Sequence, residues 1–264
     1  MSWHFILGTS TFIAVAIFLG RLGMPESLRW LWSVGRKEEA QALAKKYLPD
    51  DALDDVRHED VRKGSFGMLF SRQYWRSTLF ISAFWFCAVT PYFAIATFAD
   101  NVLNQYGLAG GVGLSAIALA GVIVIFLLIE RVGRRTLTVP PQWLCGVVLA
   151  IIGLWAGAPA FAVLTLFLVF SFFNAGYNTL TNVYPGEVLP TEIRGIGTGF
   201  AAAVSRVGAG IGIFLMPMSM ESLGAGPTML VAAAVALAGA GLSQWLAPET
   251  KGKTLTEAAA GYAH

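Results

Sequence analysis

The chain has 264 residues, of which 56% are hydrophobic and only 13% are charged, and its formal net charge is +2. This charged fraction is about half that of an ordinary soluble domain, so the composition excludes a soluble fold with a polar exterior. The small net charge gives no argument for nucleic-acid binding.

Metal, cofactor and nucleotide chemistry are not predicted either. Cys87 and Cys145 lie within apolar runs, which favours neither a disulfide framework nor a thiolate metal site. His4, His58 and His264 lack ligand-like spacing. Because the sequence has no G-x-x-x-x-G-K-[ST] segment and no nucleophile elbow, we predict neither an ATP-driven pump nor an enzyme.

Seven apolar segments are each long enough to cross a bilayer, since roughly 20 helical residues at about 1.5 Å each span a core of about 30 Å. They are 3–22, 77–100, 112–129, 137–156, 161–184, 197–219 and 226–247. The first lacks the basic n-region of a signal peptide, so we interpret it as a true span. The predicted fold class is an all-α integral membrane protein with seven transmembrane helices surrounded by lipid.

Basic residues lie on alternate connections between these spans. The connections near 101–111, 157–160 and 220–225 contain no Lys or Arg. The other connections and the tail carry Arg21, Arg29, Arg36, Lys37, Lys45, Lys46, Arg57, Arg62, Lys63, Arg72, Arg76, Arg131, Arg134, Arg135, Arg194, Lys251 and Lys253. Since Lys and Arg remain on the cytoplasmic side, the N-terminus is predicted outside and the C-terminus in the cytoplasm.

The segment from 23 to 76 is the only sizeable water-facing region. Ala40, Leu43 and Ala44 have helical spacing and predict a short amphipathic helix, and the acidic stretch from Asp50 predicts the start of a second helix. Two interpretations of these charges stay open: the helices pack on the inner surface, or they recognise a membrane or a partner.

Motifs coincide with each predicted cytoplasmic connection. Residues 25–31 (PESLRWL), 130–135 (ERVGRR), 184–195 (YPGEVLPTEIRG) and 248–252 (PETKG) carry them. Together and in this order they resemble the PESPRWL, acidic-R-x-G-R-R, Y-x-x-E-x-x-P-T-x-x-R-G and PETKG motifs of sugar-porter-type transporters of the major facilitator superfamily. Leu28 departs from this pattern, because it replaces the second proline of the first motif.

The resemblance implies that the seven spans correspond to helices six to twelve of a twelve-helix fold, half-plus-one of the whole. The implied organisation is helix six at 1–22, a cytoplasmic linker at 23–76, a six-helix bundle at 77–247 and a cytoplasmic tail at 248–264. Transport would then need an N-terminal transporter half, supplied by another chain, by self-association or by a longer gene product. The implied location is the inner or plasma membrane.

The resemblance also implies a cytoplasmic latch, in which ion pairs join inner helix ends and release on inward opening. Guanidinium groups of the Arg-rich turn are expected to pair with Glu187, Glu192 or Glu249. The alternative is topology anchoring with weak exposed pairs. The residues assigned to the latch are Glu130, Arg131, Gly133, Arg134, Arg135, Glu187, Arg194 and Glu249.

A polar stripe in the fifth span predicts a surface for the transported solute, because facilitators bind solute near the midplane. Its members recur at offsets of three and four and share one helical face; they are Ser171, Asn174, Tyr177, Asn178, Thr181 and Asn182. The alternative is hydrogen bonding to neighbouring helices. In the second span, Trp85 and Tyr92 are candidate stacking residues, with Pro91 as a predicted helix break.

Arg206 is the only cation predicted deep within a span, where insertion costs about 2.5–3.5 kcal/mol. Binding of an anionic solute, pairing with a carboxylate of the absent half and an inter-helix structural role are the open alternatives. Gly208 and Gly212 nearby predict close helix packing rather than a nucleotide-binding turn.

The predicted function is translocation of a small metabolite by alternating access, coupled to protons. The sugar-porter pattern Q-Q-x-[ST]-G is absent from the second span, which favours a metabolite or organic anion over a hexose. Asp100 is the only carboxylate near a span core, so a coupling carboxylate is expected in the absent half. Two alternatives are a transport-inactive membrane fragment and a seven-helix receptor-like protein.

Overall fold

In the computed structural model, the structure describes residues 3–47, 64–105, 111–155, 157–253 and 255–259. Their regular secondary structure is helical throughout. The chain divides into two compact units, Met1–Lys63 and Gly64–His264.

The first unit contains α1 (Trp3–Arg21), α2 (Leu28–Ser33) and α3 (Lys37–Tyr47). Helix α3 confirms the predicted amphipathic helix, since Ala40 and Ala44 are buried. The second helix predicted from Asp50 lies outside the described residues.

The second unit is a helical bundle preceded by a short 3₁₀ helix at Phe66–Phe70. Its helices are α4 (Trp75–Gln105), α5 (Gly111–Val132), α6 (Arg134–Leu154), α7 (Ala160–Asn178), α8 (Leu180–Val188), α9 (Thr191–Ser222), α10 (Ala225–Leu246) and α11 (Leu255–Ala259).

Six segments of the described residues are long and apolar enough to cross a membrane, and all lie in this bundle. They are Trp75–Ala96, Gly113–Val132, Arg134–Leu154, Ala160–Val188, Thr191–Ser222 and Ala225–Leu246. In α1 the apolar helical segment among the described residues is Thr11–Arg21, which is too short to cross a membrane. The seventh crossing therefore stays a prediction.

Two of the predicted spans differ in helix continuity from the sequence interpretation. Helix α4 continues through Pro91, so the predicted break does not occur. The fifth predicted span instead divides into α7 and α8 at Thr179, whose N–H donates to the carbonyl of Gly176 at 3.1 Å. This i→i−3 bond tightens one turn, six residues before Pro185.

The core of the bundle forms where α4 meets α7 and α8. Phe80 and Phe84 stack with centroids 5.7 Å apart, and Tyr184 meets both rings edge-on at 4.9 and 5.9 Å. All three side chains are almost completely buried. Such aromatic pairs contribute about 0.5–1.5 kcal/mol beyond the burial of their area, so they help to hold these three helices together.

Helix α4 packs against α9 and α10, and α6 packs against α10 and α7. Close approach of α4 and α9 depends on the predicted glycines. A Cβ on Gly208 would lie 2.4 Å from Thr90 Oγ1, and one on Gly212 would lie 2.6 Å from the Thr90 carbonyl oxygen. The prediction that these glycines permit close helix packing is therefore confirmed.

Candidate functional site

The turn between α5 and α6 is built around Gly133, whose φ of +103° is strained for any residue with a side chain. The carboxylate of Glu249, which follows α10, lies against this turn. A Cβ on Gly133 would lie 2.6 Å from Glu249 Oε2. Glycine is therefore required here both by the backbone conformation and by the contact.

Glu249 caps the N-terminus of α6. Its carboxylate accepts hydrogen bonds from the backbone N–H groups of Arg134 at 2.9 Å and Arg135 at 3.1 Å. It also accepts the N–H groups of Thr250 and Lys251, each at 3.0 Å. A carboxylate at a helix N-terminus satisfies otherwise unpaired donors and complements the helix dipole.

The environment of Glu249 lowers its pKa below the ordinary value. Burial raises the pKa of this carboxyl group, but hydrogen bonds from the backbone of Lys251, Arg134, Arg135 and Thr250 act in the opposite direction and together outweigh burial. The carboxylate is therefore ionised across the neutral range.

Arg134 joins α6 to α8 through an ion pair that is largely shielded from solvent. Its Nε and Nη2 atoms donate to Glu187 Oε1 at 3.1 and 2.9 Å, and the two side chains are 11% and 17% exposed. Nη2 also donates to Glu130 Oε1 at 2.8 Å, but the Glu130 side chain is 74% exposed. Of the two pairs, the one with Glu187 is therefore the stronger contributor.

Thr250 completes this cluster and Tyr184 borders it, although the sequence analysis singled out neither residue as a site residue. The Thr250 hydroxyl donates to Glu187 Oε2, and the Tyr184 hydroxyl donates to the Pro248 carbonyl at 3.2 Å. Tyr184 lies in the motif at 184–195 and Thr250 in the motif at 248–252, so motif membership could have identified both residues from the sequence. We call Glu130, Gly133, Arg134, Glu187, Glu249 and Thr250 the inner-end cluster.

The remaining latch candidates make contacts with backbone carbonyl groups. The expected pairing of the Arg135 guanidinium with a carboxylate is replaced by donation from Nη2 to the Gln244 carbonyl at 2.8 Å. Arg131 contributes its carbonyl, which accepts from Lys251 Nζ at 2.6 Å. Arg194 donates from Nε to the Leu189 carbonyl at 3.3 Å. The expected guanidinium partner for Glu249 is also wrong, because backbone N–H groups occupy its oxygens.

Comparison with known proteins gives the same assignment as the motifs. The profile of the family described as "Sugar (and other) transporter" matches residues 1–262. The chain belongs to this transporter family.

Curated relatives of the family align with nearly the whole chain. It is 32% identical to "Putative metabolite transport protein YaaU" of Escherichia coli over 97% of its own length and 59% of the relative. It is also 32% identical to "Inner membrane metabolite transport protein YgcS" of the same species, covering 97% of the chain and 58% of the relative. The chain thus spans about three fifths of the length of these relatives, which are transporters and not enzymes.

Solved structures of the major facilitator superfamily share the fold. The chain superposes on the proton:xylose symporter XylE bound to 6-bromo-6-deoxy-D-glucose with a TM-score of 0.80 and 20% identity, over 98% of this chain and 59% of that one. The inward-open xylose transporter XylE from E. coli gives a TM-score of 0.63 at 19% identity, over 98% and 57%. The family fold is therefore that of a multi-pass major facilitator transporter.

Four of the residues predicted to contact the solute are buried inside the bundle: Trp85, Asn174, Tyr177 and Thr181. The Asn174 Nδ2 atom donates to the Tyr177 hydroxyl at 2.7 Å and to the Ala88 carbonyl on α4 at 3.4 Å. Thr181 Oγ1 donates to the Asn178 carbonyl at 2.7 Å. The bond from Asn174 to Ala88 joins two packed helices, as the alternative of helix-to-helix hydrogen bonding predicts, whereas the other two bonds are local to the chain around Asn178.

The other three candidates retain exposed surface. Tyr92 and Asn178 are half-buried, and Arg206 is exposed. Tyr92 contacts the ring of Phe93 edge-on at 5.4 Å between centroids. Within the described part of the transporter, these are the candidates with surface free to meet a solute or another helix.

Proposed function

We propose that this chain supplies helix six and the C-terminal bundle of a secondary transporter that moves a small metabolite by alternating access. Family membership supports a transport role, and the names of the relatives YaaU and YgcS support a metabolite as cargo. The observation that carries the proposal is the inner-end cluster, which ties α6, α8 and the segment after α10 together at the place of the family motifs.

Alternating access requires contacts that hold one end of the transporter shut and release when that end opens. The Arg134–Glu187 pair suits this role, because two partly buried charges hold each other strongly and become costly when only one is removed. Glu249 and Gly133 set the position of Arg134 by fixing the start of α6. Glu130, Arg131, Arg135 and Arg194 support the same end of the bundle.

We assign the solute surface to α4, α7 and the start of α8. Tyr92 and Asn178 offer a ring face and an amide at half-buried positions. Trp85, Asn174, Tyr177 and Thr181 are buried within the same helices and would support this surface from inside the bundle. Arg206 supplies positive charge on α9, which would favour an anionic solute or a carboxylate of the other half. Coupling to protons is proposed by analogy with the symporter fold.

In the membrane, the proposed arrangement places the N-terminus outside and the C-terminus in the cytoplasm of an inner or plasma membrane. The inner-end cluster then faces the cytoplasm, where the positive-inside rule puts Arg131, Arg134 and Arg135. The remaining transporter half completes the solute pathway.

Uptake by proteoliposomes tests the proposal. The product of the whole reading frame that encodes this chain is reconstituted, and uptake of labelled sugars, carboxylates and aromatic acids is measured with and without an imposed proton gradient. We expect gradient-stimulated uptake of one class, which Arg134→Gln abolishes and Glu130→Gln largely preserves. Uptake at the level of empty liposomes for every solute would contradict the proposal.

A further inference from the structure

A cavity of about 200 Å³ lies between four helices at the end of the bundle opposite the inner-end cluster. Its lining comes from the last turn of α6, the first two turns of α7, the end of α9 and the first turns of α10. None of the residues assigned to the solute surface lines it. The cavity is therefore separate from the proposed solute pathway.

Two glycines bring α6 and α10 together at the edge of this cavity. A Cβ on Gly226 would lie 2.9 Å from the carbonyl oxygen of Gly153, and a Cβ on Gly153 would lie 2.8 Å from Leu230 Cγ. The two backbones therefore approach closely at this crossing. Because neither glycine has a side chain, these positions contribute nothing that fills the adjoining space towards α7.

The walls of the cavity are apolar and rich in aromatic rings and thioether sulfur. Their larger side chains include Trp155, Val163, Phe167, Met220 and Met229. Val163, Phe167 and Met229 are buried, whereas Trp155 is 50% exposed. Since none of the residues that line the cavity carries a charged side chain, an ion would lose its hydration here without gaining a partner. The walls therefore favour an uncharged ligand.

The size of the cavity fits a single aromatic molecule. An apolar cavity of about 150 Å³ accepts benzene, so a slightly larger one suits a ring system of about nine non-hydrogen atoms, such as indole. The thioethers of Met220 and Met229 can contact the edge of such a ring, and their flexible side chains can adapt to it. Phe167 offers a ring for edge-on or offset packing.

We propose that this cavity binds one small, uncharged aromatic molecule of the indole class. The ligand would contact α7, α9 and α10 at once and so join the helix ends at this side of the bundle. For a molecule of this size, the expected Kd is on the order of 0.1–1 mM. The proposal does not depend on transport.

A lipid acyl chain is the competing apolar occupant. It gains little by entering the cavity, because the surrounding lipid tails are as apolar as the cavity walls. An aromatic ring gains contacts with sulfur and with the Phe167 ring that neighbouring lipid tails do not offer. These contacts favour the aromatic ligand over the chain.

Methyl NMR of the methionines tests the proposal, with indole as the probe and the protein in lipid nanodiscs. A ring bound between Met220 and Met229 should shift both methyl resonances through its ring current, and the shifts should saturate with the Kd given above. Met218 is the matched control, because it lies two residues earlier on the same helix and is 64% exposed. Its resonance reports indole dissolved in lipid and should not saturate. Substitution of each methionine by leucine assigns the resonances.

Two substitutions should fill the cavity from opposite sides. Ala158→Trp acts from the connection between α6 and α7, and Ala225→Trp acts from the start of α10; both residues line the cavity and retain exposed surface. Each should weaken indole binding by about tenfold or more. Ala238→Trp, at an exposed position of α10 that does not line the cavity, should change the Kd by less than about twofold. Because the two filling variants alter different elements, either one is sufficient if the other does not fold.

Three results would overturn the proposal. The shifts of Met220 and Met229 could follow that of Met218 without saturating, which would show partitioning into lipid only. Unchanged affinity in the filling variants would place the indole site elsewhere. Contacts between lipid acyl chains and the Met229 methyl group that persist at saturating indole would assign the cavity to lipid. Since none of these measurements uses uptake, their outcome is independent of that of the proposed function.

Discussion

The carboxylate of Glu249 occupies the space that a side chain at Gly133 would need. Glu249 Oε2 lies 2.6 Å from the Cβ position of Gly133, and the same carboxylate holds the first two N–H groups of α6. The turn between α5 and α6 and the segment after α10 are therefore a single structural unit, although 116 residues separate them in sequence.

Replacing Gly133 with alanine should destabilise the bundle by about 2 kcal/mol, because the new Cβ is strained at positive φ and displaces Glu249. Thermal unfolding in detergent measures the change. Gly186→Ala is the matched control at the same end, since its Cβ position is open and its φ is not positive. It should be neutral or stabilising by about 0.5–1 kcal/mol. Equal effects of the two changes would contradict the role of Glu249.

Exchanging the charges of Arg134 and Glu187 tests their pairing. Arg134→Glu or Glu187→Arg alone should cost about 1–3 kcal/mol, because each places like charges together in a shielded site. The double exchange should recover part of this loss, while the bonds to Ile129 and Thr250 explain why recovery is incomplete. Unfolding of the four proteins forms the cycle, and a strictly additive double variant would exclude direct coupling.

Glu130→Gln measures how much the exposed partner of Arg134 contributes to stability, for comparison with Glu187. The Glu130 side chain is 74% exposed, so its pair with Arg134 should contribute only about 0–1 kcal/mol. A loss as large as that for Glu187 would show that burial does not rank the two pairs.

The stability of the bundle should fall at acidic pH, with Glu249 contributing to the change. Its folded-state pKa is below the ordinary value of 4.5. The stabilisation is therefore complete above about pH 4.5 and is lost as the pH falls through the lower folded pKa. Unfolding temperatures between pH 7 and pH 3 should fall less steeply for Glu249→Gln than for the wild type. Parallel curves would exclude this group.

Alanine substitutions at two glycines of α9 should differ in their effect on stability. Gly208→Ala should destabilise the isolated chain by about 1–3 kcal/mol, because its Cβ would meet Thr90 and Phe86 at 2.4 and 2.8 Å. Gly210→Ala should not destabilise the isolated chain, since its Cβ position is open. Unfolding in detergent compares the two variants, and a loss of stability for Gly210→Ala equal to that for Gly208→Ala would contradict the close packing of α4 and α9 at Gly208.

Hydrophobic length was sufficient to locate the bundle helices from sequence, because a lipid crossing imposes a strong and local constraint. The observed helix ends differ from the predicted ones where local hydrogen bonds and polar residues determine them. Helix α4 extends to Gln105 beyond the apolar segment and passes through Pro91, whereas α7 ends at Asn178. Periodicity carries no information about the i→i−3 bond at Thr179, where α7 and α8 meet within one candidate span.

The charged members of the inner-end cluster and the pairing of Arg134 with Glu187 were predictable from the sequence, whereas the partners of Glu249 and the contribution of Thr250 were not. Charge and motif position identified Arg134, Glu187 and Glu249, yet the sequence favoured a guanidinium partner for Glu249. The observed partners are backbone N–H groups, whose availability depends on where α6 begins. The burial of Asn174 could not be predicted from the sequence either, because a polar stripe has the same spacing whether it faces water or another helix.

Labelling of two introduced cysteines tests the membrane arrangement most directly. Leu223→Cys lies in the predicted outer connection, and Lys253→Cys lies in the predicted cytoplasmic tail; both positions are exposed, while the native Cys87 and Cys145 are buried. On intact cells, a membrane-impermeant maleimide should label the protein with Leu223→Cys and not the one with Lys253→Cys, which should react after permeabilisation. Labelling of both from the same side would contradict a bundle in which α10 crosses the bilayer.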